Sequence, residues 1–311
     1  MTHDAPLAAL LPSWELSLGD ASKSPKTITS YLASGRALAR YLTAAGLPAG
    51  TETVTAPDIR AFIGAETRRT SAVSASIHYR NLRVFFGWLE REGERTEPNP
   101  MARVDKPKVT EKAKPFFTVA EQAALLKACG GQGFEDRRDH AMLRILVDCG
   151  VRVGGLAGLR YDPEDDDLTD VFLAQKRLRV TLKGGDQTFV PLGRKAAAAI
   201  DRYIRARARS PHAVSPWLWL GTRGRGVEHM TDSGIRVMLA RRGEQAGVQG
   251  VNPHRFRHTF SDQWLSGGGD IDELMAIAGW TSIEMPLKYA RGRGIARAAS
   301  AHARLSPGDR L

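Results

Sequence analysis

Apolar residues recur at helical spacing through the first hundred positions of the chain. Ser24-Pro25 reads as an N-cap followed by a first-turn proline. Ile28, Tyr31, Leu32, Leu38, Tyr41 and Leu42 follow at helical intervals until Gly46 closes the segment. The same period predicts a helix from Pro57 to about Arg68, with Ile59, Phe62 and Ile63 on one face. It predicts another from about Ser71 to Glu92, carrying Ile77, Leu82, Phe85, Phe86, Trp88 and Leu89. A short helix around Leu7 to Leu18 completes a four-helix arrangement, and the aromatic stripe is read as its core. Glu97-Pro98-Asn99-Pro100 breaks the pattern. Residues 102–115, polar and lysine-rich with Pro107 and Pro115, have linker composition.

From Phe116 the texture is mixed. Helices are predicted from Thr118 to Ala128 and from about Arg137 to Cys149. Two alternating runs, Leu178–Lys183 and Thr188–Leu192, flank Gly184-Gly185-Asp186 as a β-hairpin. Helices resume at about Lys195, Asp232 and Pro253. Asn252-Pro253 is a second cap-and-proline start, so His254 falls in a first turn and Arg257, three residues on, shares its face. Phe256, Phe260 and Trp264 form the opposite, core-facing stripe. Gly267-Gly268-Gly269 stops that helix. Asp270 and Glu273 have capping-box spacing for the next, which ends at Gly279. Thr281 and Glu284 repeat the spacing, and Tyr289 lies at the end of the last helical stretch. The fold class expected is mainly α with a small β-sheet. A helical domain occupies residues 1–101, a linker 102–115, and a mixed α+β domain with a C-terminal tail 116–311.

Composition narrows the partners. Hydrophobic residues make up 42% and charged residues 25% of the 311, ordinary values for a folded chain. No stretch approaches the 18 or so apolar residues of a membrane span, and Met1-Thr2-His3-Asp4 has no basic region of a signal peptide. Cys129 and Cys149 are the only cysteines, which excludes a disulfide framework and a multi-thiolate zinc site. The expectation is a soluble, cytoplasmic protein of a reducing compartment. The 45 Lys and Arg against 34 Asp and Glu give a net charge of +11, a balance that points to nucleic acid. The excess is uneven: residues 1–110 hold 14 basic and 11 acidic side chains, whereas residues 176–209 hold 10 and two. Asp162 to Asp170 runs the other way with six acids. It lacks the glycine and glutamate spacing of a calcium loop and is read as a solvated loop. There is no phosphate-loop, dinucleotide-binding or His-Glu-x-x-His motif. No cofactor or metal is expected.

His254-Arg255-Phe256-Arg257-His258-Thr259-Phe260, Ala278-Gly279-Trp280-Thr281-Ser282-Ile283 and Tyr289-Ala290-Arg291 resemble the signature of the tyrosine recombinases, the phage integrase family. Cys149-Gly150-Val151-Arg152-Val153 is similar to the box around that family's first arginine. Leu182-Lys183-Gly184-Gly185 followed by Val190-Pro191-Leu192 is similar to its β-hairpin lysine. The resemblance covers about residues 116–300, and the helical domain and linker match the family's DNA-clamping domain in architecture. It implies attack by Tyr289 on a DNA phosphodiester, giving a 3′-phosphotyrosine and a free 5′-hydroxyl, with no ATP. A phenol with a pKa near 10 is only roughly 0.1% ionised at neutral pH, so such chemistry needs cationic neighbours or a base. The resemblance makes Arg152 and Arg257 the donors to the phosphate oxygens and Lys183 the acid for the leaving 5′-oxygen. His254 would accept the tyrosine proton or hydrogen-bond the phosphate. Trp280 would position groups through its indole N–H, which cannot move a proton at neutral pH. It further implies double-stranded DNA as partner, a tetramer on two DNA sites, accessory DNA-bending or directionality factors, and association with the nucleoid. A helical domain starting near Met1 leaves no room for the extra N-terminal arm-binding domain of larger integrases. The tail from Arg291 to Leu311 is expected to hold a helix that docks on a neighbouring protomer or lies solvated.

Two positions depart from the pattern. Gly155 stands where the family places an acid three residues after its first arginine, and Asp148 is the nearest substitute. Pro286, three residues before Tyr289, is expected to kink or loosen the tyrosine segment. Gly155 also leaves open a non-cutting DNA-binding paralogue. The acidic run 162–170 is the sole support for a metal-dependent nuclease.

Overall fold

Ser24 opens the first long helix as expected: its hydroxyl accepts the Thr27 N–H, and α2 runs Pro25–Ala44. The computed structural model describes residues 4–110, 115–182, 184–222, 227–290, 298–299, 302–304, 306 and 308–310, with 288–290 and 310 described by backbone alone. Two compact units divide between Lys112 and Ala113.

In the first unit, α1 (Leu11–Asp20), α2, α3 (Ala56–Arg69) and α4 (Ala72–Arg91) enclose an apolar core. Thr55 and Asp58 close a capping box on α3, and the Ser71 hydroxyl caps α4. Trp14 stacks on Tyr31 at 5.7 Å and meets Phe85 at 4.6 Å, so the aromatic stripe is core. Ile77 departs from that expectation: it is exposed. It lies five residues from buried Leu82, about 140° round the helix, and therefore off the stripe. Met101 and Val104, just beyond the helix-breaking prolines, are buried in this same core.

The second unit contains α5 (Val119–Lys127), α6 (Phe134–Cys149), α7 (Val153–Ala157), α8 (Arg194–Arg207), α9 (Asp232–Ala246), α10 (Pro253–Ser266), α11 (Ile271–Ala278) and α12 (Glu284–Ala290). An antiparallel sheet ordered β1–β2–β3 lies among them, with β1 at Val171–Phe172, β2 at Arg177–Thr181 and β3 at Gln187–Pro191. The hairpin is as expected, each strand starting and ending one or two residues earlier. Leu178 pairs with Val190 and Thr181 with Gln187. The two-residue β1 and five-residue α7 are too short to leave a periodic signal. Met142, Leu143, Ile145 and Leu146 of α6 share one core with Leu178, Val180 and Val190 of the sheet and with Tyr203 and Trp219.

Three sequence-level details are corrected. Asp270 has N-cap backbone angles, but its side chain makes no cap hydrogen bond, so the expected capping box does not close. The Gly267–Gly269 turn brings the Trp264 indole onto the Asp270 carbonyl at 3.1 Å. The last helix starts at Glu284, which is its first residue rather than its third, and the Ser282 hydroxyl takes the Glu284 N–H. Pro286 therefore sits in the first turn of α12, where the amides have no helical partner in any case, and no kink is required. Most of the tail, and residues 223–226 of the Gly- and Arg-rich segment 221–226, lie outside the described residues.

The acidic run is exposed over residues 163–168, where it satisfies its own backbone, and buried at Asp170. Asp162 accepts the Glu164 N–H, Asp165 accepts those of Asp167 and Leu168, and Asp170 pairs with Arg179 at 2.8 Å. Elsewhere charge is buried. Asp139, fully buried on α6, receives Arg138, Arg241 and Arg242 at 2.7–3.0 Å. Asp139→Ala would leave these guanidinium groups without their shared counter-charge. The expected loss is about 3–5 kcal/mol of folding stability, read as a lower denaturant midpoint at unchanged slope. An unchanged midpoint would refute this account of the network.

Candidate active site

Two helix C-termini supply the framework of the site. Gly150 ends α6 and Gly279 ends α11, both in the left-handed conformation, at φ 56° and 60°. Carbonyls at such ends carry partial negative charge and attract guanidinium groups. The arginines cross between them. Arg152, two residues after Gly150, donates to the Gly279 carbonyl at 3.2 Å. Arg257, from the first turn and a half of α10, donates to the Gly150 carbonyl at 3.0 Å and to that of Ala278. Segments more than a hundred residues apart are thus held by their own arginines. Arg152 is exposed, whereas Arg257 is only 4% exposed and lies 4.5 Å from the centre of the Trp280 ring.

Asn252 caps α10 by accepting the Arg255 N–H, as expected from Asn-Pro. His254 is exposed and meets buried His258 edge-on at 4.3 Å, so His258 braces the His254 ring. Arg255 is structural: it bonds the carbonyls of Gln249 and Phe116, pairs with Glu121 at 2.8 Å and lies over Phe117. Trp280 is buried among Phe260, Leu274 and Ala278. α12 packs against α10 and α11 and carries the backbone of Tyr289 beside them. The Tyr289 side chain and the whole of Lys183 lie outside the described residues. The residues flanking Lys183 are described: Leu182 donates to the Asp186 carbonyl at 2.7 Å, and Gly184 and Gly185 have φ of 112° and 99°.

Packing explains Gly155. A Cβ there would lie 2.6 Å from Val180 Cγ1, because α7 rests directly on β2. On the other side, a Cβ at Gly279 would lie 2.5 Å from Leu182 Cδ2. The segment Val180–Leu182, which leads into Lys183, is held between two positions without room for a side chain. Asp148 does not stand in for the missing acid: its carboxylate accepts the Gly193 N–H at 2.6 Å, at the start of α8. The Cys149 thiol is no competing nucleophile. Burial, and secondly Asp148, push its pKa well above the ordinary thiol range.

Sequence reasoning singled out the arginines but not the Gly150, Ala278 and Gly279 carbonyls that orient them. The one available signal was glycine at a helix end, which marks a cap and says nothing of what the cap binds.

The sequence profile of the Phage integrase family matches residues 115–293. The chain belongs to this family. It is 31% identical over 268 residues to the tyrosine recombinase XerC of Pelobacter propionicus, covering 86% of this chain and 84% of the relative. It is 30% identical over 269 residues to that of Chromohalobacter salexigens, covering 86% of each. Among solved structures, a lambda integrase dimer bound to a core site superposes with a TM-score of 0.73 at 19% identity, covering 94% of this chain and 79% of the other. XerH recombinase bound to a palindromic substrate gives 0.72 at 13% identity, covering 95% and 84%. The helical content and the small antiparallel sheet are those of the family fold.

Proposed function

We propose that this family member is a site-specific recombinase that cuts and rejoins duplex DNA through a 3′-phosphotyrosine on Tyr289. The observation that carries the reading is the crossed pair of arginines. Arg152 and Arg257 are fixed by carbonyls of opposite segments before substrate arrives, beside the helix that bears Tyr289. Preorganised donors of this kind stabilise charge that develops on the non-bridging phosphate oxygens without reorganising during the reaction.

The Tyr289 oxygen attacks phosphorus, and the 5′-oxygen leaves with a proton from Lys183. His254 takes the phenolic proton or hydrogen-bonds the phosphate, and Trp280 keeps the Arg257 guanidinium in place. A 5′-hydroxyl from another strand reverses the step, so the phosphoester is conserved and no cofactor is consumed. The working form is a tetramer on two double-stranded DNA sites, assisted by accessory DNA-bending or directionality factors. The protein acts in the cytoplasm at the nucleoid. Among the described residues no helix is long and apolar enough to cross a membrane. Gly155, which would favour a non-cutting paralogue, has a packing explanation instead.

A nicked suicide substrate in EDTA tests the proposal. A covalent protein–DNA adduct is expected on denaturing gels, and none with Tyr289→Phe. DNA binding without an adduct would overturn it, and so would an adduct that survives Tyr289→Phe.

A further inference from the structure

Charge on α6 is segregated. Glu135, Asp136 and Asp139 all pair with Arg241 and Arg242 of α9. Arg137, His140 and Arg144 follow at intervals of three and four and so share another face, toward α8. There they meet Arg194, Lys195 and Arg202. These six residues line two cavities of about 460 and 480 Å³ that share Arg202 as a common wall. No carboxylate lines either cavity. Asp201, the neighbour of Arg202 in the chain, is engaged by Arg205. Among the described residues, none of the five cations has an ion-pair partner within 4.0 Å, and the buried Nε of Arg144 has no hydrogen-bond partner.

The other arginines of this unit that are buried or half-buried are mostly satisfied within the protein: Arg207 and Arg257 bond backbone carbonyls, and five more are matched by acids. Arg138, Arg179, Arg241, Arg242 and Arg255 each have a carboxylate. Arg137 and Arg144 are half-buried and Arg194, Lys195 and Arg202 exposed, and five cations facing one another across two concavities raise a positive potential that a bound anion lowers. At about 460 and 480 Å³ each concavity has ample room for a phosphate group. Planar guanidinium forks suit phosphate oxygens. His140 adds a neutral donor: burial first, then Arg144 and Arg202, push its pKa down to about 4, so at neutral pH the imidazole offers an N–H without adding repulsion.

We propose that the α6–α8 groove is a second anion site, distinct from the Arg152–Arg257 pair, that takes two phosphate groups, one at each cavity. The phosphates come either from the backbone of bound duplex or from a free oligophosphate. In the first case the groove gives the protein a hold on DNA that is independent of sequence, because phosphate contacts carry no base information.

The test uses the full-length protein with Tyr289→Phe, so that binding is read without cleavage. Affinity for non-specific duplex is measured across salt concentration, with and without Arg144→Gln plus Arg202→Gln. If DNA fills the groove, the log–log salt slope becomes shallower by about one to two units, near 0.9 for each phosphate that the variant no longer neutralises. Arg144→Lys plus Arg202→Lys restores most of it. Inorganic pyrophosphate, titrated against the protein without the groove substitutions, provides a measurement that needs no groove variant to fold: the ring resonances of His140 should shift. An unchanged salt slope together with a pyrophosphate-dependent His140 shift assigns the groove to a free oligophosphate. An unchanged slope and unmoved His140 resonances overturn the proposal. The adduct assay on the protein with Tyr289 intact stands apart from both readings, so failure of the groove and failure of the Tyr289 chemistry are separately visible.

Discussion

Arg257→Ala is expected to slow formation of the covalent adduct by roughly 10²- to 10³-fold, the usual cost of removing one preorganised oxyanion donor. The geometry adds a second consequence. Arg257 also bonds the Gly150 and Ala278 carbonyls, so its loss leaves the ends of α6 and α11 without their shared tie. Buried carbonyls deprived of a donor cost about 1–3 kcal/mol, so a lower thermal midpoint should accompany the slower rate. Arg257→Lys separates the two effects. It keeps the charge but cannot bridge two carbonyls and a phosphate with one planar fork, so the rate should remain low while stability partly recovers. Single-turnover cleavage of a nicked substrate and a melting curve read both. Near-wild-type cleavage by Arg257→Ala would remove Arg257 from the site.

Gly155→Glu, which restores the acid usual in the family, is expected to damage the protein rather than improve it. The new Cβ would meet Val180 Cγ1 at 2.6 Å, where α7 rests on β2. Overpacking of this kind costs about 1–3 kcal/mol. The strand that yields is the one leading through Leu182 to Lys183, and a displacement of about 1 Å at a catalytic group can cost on the order of 10²-fold in rate. The expected outcome is a lower melting temperature and a roughly 10- to 100-fold slower cleavage. Gly155→Ala should show a smaller loss, and Val180→Ala in the Gly155→Glu background a partial recovery. If the damage runs through Lys183, a substrate with sulfur in place of the 5′-bridging oxygen should lose most of the rate defect, because a thiolate leaves without a proton donor. Faster cleavage by Gly155→Glu at an unchanged melting temperature would show that the glycine is a deficiency and not a packing requirement.

Gly155 illustrates how far the sequence could be read. As a departure from a pattern it suggested weakened catalysis or a non-cutting relative. Its meaning depends on Val180, 25 residues away, and no local signal reports that proximity. Pro286 is similar. Its three-residue distance from Tyr289 suggested a kink until the start of α12 at Glu284 placed it in a first turn. Asp270 shows the reverse: its cap angles were legible, but its side chain makes no cap hydrogen bond and its carbonyl accepts from Trp264 across a glycine turn.

By itself the sequence determined the helices that open at Ser24 and Asn252, the hairpin around Gly184-Gly185, the break after Glu97 and the surplus of cations. Those features rest on interactions within a few residues, or on composition, which the chain carries wherever it folds. The tertiary structure alone decided that Arg257 is buried and Arg152 exposed, and that each is oriented by carbonyls at distant helix ends. It also decided that Gly155 closes on β2 and Gly279 on Leu182 just beyond it, and that one face of α6 is neutralised while another is left cationic. These depend on interactions between stretches up to 127 residues apart. Side chains that distant meet only when the core of the second unit packs, so their pairing is a property of that packing and not of spacing along the chain.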